Sequence, residues 1–174
     1  MEPIEPTELQ KSTIAFAGLT LFAVQHCERF LGGLLTYCFS RSSPLSAEEL
    51  LRMDEQHRMA ALGELRGILR KHFDLAPDFE SRLNQFAIDR NRFVHRLFHE
   101  QGMSPATESD CAPALNFMLG LLEDSGLIAD TIRGIFSSLF QADGIPVPDA
   151  LLDILRHPSP FSTPFKDLIK QRPK

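Results

Sequence analysis

The chain contains no tryptophan and a single tyrosine. Phenylalanine supplies nearly all the aromatic mass, with 14 copies, so its rings serve packing more than hydrogen-bonded recognition. Cysteine is scarce. Cys27, Cys38 and Cys111 are far apart and odd in number, which fits neither a zinc-ligand pattern nor a disulfide framework. That usage suits a reducing compartment, and a cytoplasmic location is expected. Long hydrophobic runs are also lacking. The apolar stretch from Ile14 to Val24 falls short of the roughly 20 residues a bilayer span needs, and Gln25, His26, Glu28 and Arg29 would interrupt any extension. The acidic start has neither a basic leader nor a small-residue cleavage site, so no export signal and no membrane association are expected. There is no glycine-rich phosphate loop, no alternating strand pattern and no internal repeat.

What is present reads as one globular domain. Of 174 residues, 43% are hydrophobic and 24% charged, enough apolar mass to bury a core. The net charge of −5 argues against a protein that coats nucleic acid by bulk electrostatics. That charge is uneven: −3 over residues 1–50, +1 over 51–100, −6 over 101–150 and +3 over 151–174. The second segment also carries His57, His72, His95 and His99, so an anionic ligand would be drawn there or to the tail.

The order of breaks and caps predicts an all-α fold. Thr7 to Gln10 forms a capping box, and a helix should run from it to about Phe39. Its first part is apolar almost all round, which predicts burial on several sides. Ser46 and Glu49 form a second box, opening a helix to about His72. A third helix carries Phe79, Leu83, Phe86, Phe93 and Leu97, and a fourth runs from about Asp110 to Phe140. We therefore expect an up-down bundle of four main helices over residues 1–142. A proline-rich basic tail, 143–174, follows, with a short helix near 149–156. So much apolar surface on the first helix further predicts a homodimer.

Chemistry concentrates in Asp89-Arg90-Asn91-Arg92-Phe93-Val94-His95-Arg96 on the third helix. At 100° per residue, Phe79, Leu83, Phe86, Phe93 and Leu97 fall within about 80° of one another, and Arg90 lands inside the same arc. A guanidinium buried there without a partner would cost several kcal/mol, so it must meet a carboxylate, meet a ligand anion or open onto a cleft. Glu64, Glu123, Asp124 and Asp130 are candidate carboxylates. Asn91 and His95, four apart, lie side by side at the edge of that arc. Arg92 and Arg96 share the outer face, which is either an ordinary solvated face or one where they and His99 could hold backbone phosphates.

The run Arg90-Asn91-Arg92-Phe93-Val94-His95, late in a core helix of an all-helical chain, resembles the R-x(4–6)-H signature of the HEPN superfamily, whose members often carry Asn directly after the Arg. The same spacing occurs at Arg52/His57, Arg66/His72 and Arg92/His99. Only Arg90/His95 adds the adjacent Asn91 and the apolar frame. The resemblance covers about residues 7–142. It implies a HEPN-like dimer of toxin–antitoxin or defence type, with a cognate antitoxin or regulatory protein as a further partner. It also implies either metal-independent RNA cleavage or RNA or nucleotide binding, with no cofactor. Arg90 and His95 would be the catalytic pair and Asn91 the residue that orients them.

Such chemistry is self-consistent. Attack by a ribose 2′-hydroxyl needs a base, an acid and positive charge on the oxyanions of the transition state. Histidine can do the first two near neutral pH, and arginine does the third with bidentate geometry. The alternative is a non-catalytic helical interaction protein in which Arg90 is a buried structural ion-pair residue. The surroundings of Arg90 separate the two.

Overall fold

The computed structural model describes residues 5–42, 46–59, 62–144 and 169–171. The chain is all-α. Its helices are α1 (Glu8–Ser42), α2 (Ala47–Met59), α3 (Leu62–His72), α4 (Pro77–His95) and α5 (Glu108–Ala142). A single 3-10 turn, Leu97–His99, follows α4. Both capping boxes form. The Thr7 amide donates to Gln10 Oε1 at 2.8 Å and the Gln10 amide to Thr7 Oγ1 at 3.3 Å. The Ser46 amide donates to Glu49 Oε2 at 2.8 Å and the Glu49 amide to Ser46 Oγ at 3.2 Å. Each reciprocal pair satisfies amides that a helix start leaves without partners.

The helix expected over 46–72 is present among the described residues as α2 and α3, on either side of residues 60–61, which lie outside them. The Gln10 side-chain amide near the start of α1 donates to the carbonyls of Pro105 and Ala106, just ahead of α5. Late in both helices, Arg133 lies over the Phe30 ring. The first and last helices therefore run parallel, whereas an up-down bundle of four would set them antiparallel. Between them α4 runs antiparallel to α5, with Arg82 bonded to Asp124 and Arg92 over Phe117.

The core lies along the α1–α5 seam and under α4. Val24, Cys27, Leu31, Leu34 and Leu35 of α1 meet Leu83 and Phe86 of α4 and Leu121, Ile128 and Ile132 of α5. Hydroxyls inside this seam cost little because each returns to the carbonyl four residues back: Thr20 to Phe16, Ser125 to Leu121 and Thr131 to Leu127. Burial of α1 on several sides is corrected: Ile14, Leu19 and Phe22 are 56%, 53% and 65% exposed in the single chain. Their side of α1 lies opposite Thr13, Thr20, Val24 and Cys27, which are buried on the side that packs into the bundle.

One strand pair was not foreseen. Phe73–Leu75 (β1) pairs antiparallel with Ile169–Gln171 (β2), in register Asp74 with Lys170. Three residues are too few for an alternating pattern to stand out in a sequence. The pair ties the end of the chain back to the α3–α4 turn. The short helix expected near 149–156 lies outside the described residues.

Candidate functional site

The sequence places Arg90 in an apolar stripe, and the fold supplies its counter-charge. Phe79, Leu83 and Phe86 are buried on the core side of α4, as their spacing requires. Arg90, one turn further on, is 22% exposed and donates from Nε to Glu28 Oε1 at 2.7 Å and from Nη2 to Glu28 Oε2 at 3.4 Å. Glu28 itself, on α1, is 19% exposed. The partner is thus Glu28 and not Glu64, Glu123, Asp124 or Asp130. Of the latter, Asp124 binds Arg82 and Asp130 binds Arg133. The third Arg90 nitrogen, Nη1, donates to Asn91 Oδ1 at 3.1 Å.

Asn91 stands beside the open part of the site. A groove of about 640 Å³ is lined by Ile88, Asn91, Arg92, His95, Arg96 and Glu100. The structure thus brings Asn91, His95, Arg92 and Arg96 together, and leaves Arg90 and His99 out of the lining. Arg90 reaches the groove only through Asn91. His95 is the last residue of α4 and exposed, with Arg96 at the cap position. The carbonyl end of a helix carries partial negative charge, which suits cationic side chains there and requires any anion to be held by them.

Arg92 is less free than its outer-face position suggested. Its Nε and Nη2 donate to Glu100 Oε2 at 2.9 and 2.6 Å, and its guanidinium sits 4.6 Å from the centre of the Phe117 ring. The pairing holds the Glu100 carboxyl below the ordinary carboxylate range, chiefly through the Arg92 hydrogen bond. Arg96 makes no ion pair among the described residues and is exposed. It is the cation best placed to meet a ligand.

Two partners escaped the sequence reading: Glu28 and Glu100. Glu28 stands 62 residues from Arg90, so only the α1–α4 crossing reveals it. Glu100 lies eight residues from Arg92, beyond the helix end, where the 3-10 turn folds it back. Among the described residues no group of three or more His, Cys, Asp or Glu side chains is arranged to hold a metal ion. Nor is any described helix long and apolar enough to cross a membrane. No protein-family model, curated protein or solved structure matches the chain.

Proposed function

We propose that the chain is a HEPN-like helical protein, acting as a homodimer, that binds RNA or a nucleotide by its phosphate in the groove at the end of α4. The carrying observation is that Asn91, His95 and Arg96 line one groove in which Arg96 has no ion-pair partner among the described residues. Arg96 offers a fork for phosphate oxygens, Asn91 an amide and His95 an imidazole. Ile88, 59% exposed in the same groove, offers apolar contact for a base or ribose. The exposed Ile14, Leu19 and Phe22 favour a second copy of the chain. The resemblance further suggests a toxin–antitoxin or defence setting, with an antitoxin or regulatory protein as an additional partner.

Cleavage is the further step, and the geometry supports it less well than binding. The Arg90 guanidinium is engaged by Glu28 and Asn91, so it would have to leave Glu28 before it could meet a reacting phosphate. Arg90 is better assigned as a positioning residue that holds the Asn91 side chain at the groove. The same Arg90–Glu28 pair favours a second reading, a non-catalytic helical interaction protein in which the groove holds no nucleic acid.

Anisotropy of a labelled single-stranded RNA across a salt series separates these. Binding should be weakened by Arg96→Ala and His95→Ala. Arg96→Ala should flatten the dependence of log affinity on log salt by about one phosphate contact. Absence of binding over a broad RNA and nucleotide panel, or binding indifferent to both substitutions, would overturn the assignment. Cleavage in EDTA that disappears in His95→Ala would add the enzymatic step.

A further inference from the structure

A second recess, distinct from the α4 groove, lies between α1 and α5. It holds about 410 Å³ and is lined by His26, Arg29, Phe30, Gly33, Phe136 and Phe140. That volume falls within the range of small-molecule sites, about 300–1,000 Å³. Its walls are rings. His26 meets Phe30 edge-on with centroids 4.6 Å apart, and Phe136 stacks on Phe140 at 6.0 Å. Gly33 leaves one wall without a side chain: a methyl there would stand 3.8 Å from Phe136 Cζ, in ordinary contact.

The recess is apolar but not neutral. Arg29 is exposed and makes no ion pair among the described residues. Arg133 lies 4.8 Å from the centre of Phe30, with Nη1 bonded to Asp130. His26, though exposed, lies below its ordinary value through partial burial, with Arg133 and Arg29 pushing the same way. Among the described residues no carboxylate lines the recess. Glu28, next in sequence to Arg29, is held by Arg90. An apolar hollow with an unopposed cation among its lining residues is complementary to a molecule with an apolar tail and one negative head.

We propose that this recess binds a medium-chain carboxylate, its chain among Phe30, Phe136 and Phe140 and its head paired with Arg29. The site is independent of the α4 groove and of the activity proposed there. With no tryptophan to report on binding, the measurement is calorimetric titration of the full chain with sodium octanoate, and with octanol as the uncharged control. Wild type should bind octanoate saturably and in preference to octanol. Arg29→Gln should weaken octanoate about fivefold, as expected for one solvent-exposed ion pair, and erase that preference. Gly33→Leu should fill the hollow and remove saturable binding with helicity unchanged. Should Gly33→Leu not fold, the exposed Arg29→Gln decides alone. The proposal is overturned by absence of octanoate binding, by equal binding of octanol, or by an unaltered Arg29→Gln. It is also overturned if binding vanishes as the chain self-associates, since the recess then belongs to a second copy.

Discussion

Removing either half of the Arg90–Glu28 pair should destabilise the bundle measurably, and removing both should nearly restore it. The side chains are 22% and 19% exposed and joined by two hydrogen bonds, one of 2.7 Å. Solvent-exposed pairs contribute about 0–1 kcal/mol, whereas stranding one charge of a fully buried pair costs about 3–5 kcal/mol. This pair lies between those limits, so Glu28→Met or Arg90→Met should cost about 2 kcal/mol each. For a chain of this length that lowers the thermal midpoint by about 4–8 °C. In Glu28→Met/Arg90→Met the stranded charge is gone and apolar volume replaces it, so the double variant should lie well above the sum of the singles. Urea unfolding followed by far-UV circular dichroism gives all four corners of the cycle. Single variants that cost less than about 0.5 kcal/mol, or a strictly additive double, would refute the claim that burial makes this pair structural.

Two further outcomes follow from ionisable groups elsewhere. Glu49 is held below its ordinary value by the Ser46 amide and hydroxyl, and Glu100 by Arg92. Both carboxylates therefore contribute stability that is present above about 4.5 and lost as pH falls through their lowered folded values. Asp124, raised by burial, works the other way and favours the fold as it protonates. Thermal midpoints measured through the acid range should fall more steeply in wild type than in Glu49→Gln/Glu100→Gln, and identical profiles would contradict the assignment. Separately, burial and then the Glu28 charge push the Cys27 thiol far up, so native protein at mildly alkaline pH should leave Cys27 unalkylated by iodoacetamide. Peptide mass mapping before and after urea checks this, and native-state labelling of Cys27 would contradict it.

Local rules made much of the fold legible. Thr7/Gln10 and Ser46/Glu49 marked helix starts because a capping box is a contact between near neighbours. Phe79, Leu83 and Phe86 marked the core face of α4 because helical period alone decides it. The conflict at Arg90 was legible too, but not its resolution, since Glu28 is brought to it by tertiary packing. Likewise Arg92 read as a free outer-face cation until the turn at Leu97–His99 returned Glu100 to it. The β1–β2 pair joins segments almost a hundred residues apart, with nothing in either to announce the other. Direction was the other loss. That α5 runs parallel to α1 is set by contacts such as Gln10 with Pro105 and Arg133 with Phe30, which no local pattern announces.

The charge balance around the α4 groove limits what it can hold. Four arginine, lysine or histidine side chains stand at this end of the helix, yet Arg90 is matched by Glu28 and Arg92 by Glu100. The arginine of the groove left without an ion pair among the described residues is Arg96, with His95 beside it. A polyanion read by many phosphates needs a basic stripe, and a steep salt dependence would follow from one. One guanidinium in the groove without an ion pair among the described residues instead suits one phosphate, with the amide of Asn91 and the side chain of Ile88 left to meet the sugar or base. A dimer would offer two such contacts, which favours a nucleotide or a short exposed stretch of RNA over a long duplex. A salt slope well beyond two phosphate contacts per dimer would therefore place the RNA on some other surface, the basic C-terminal segment being the first to test.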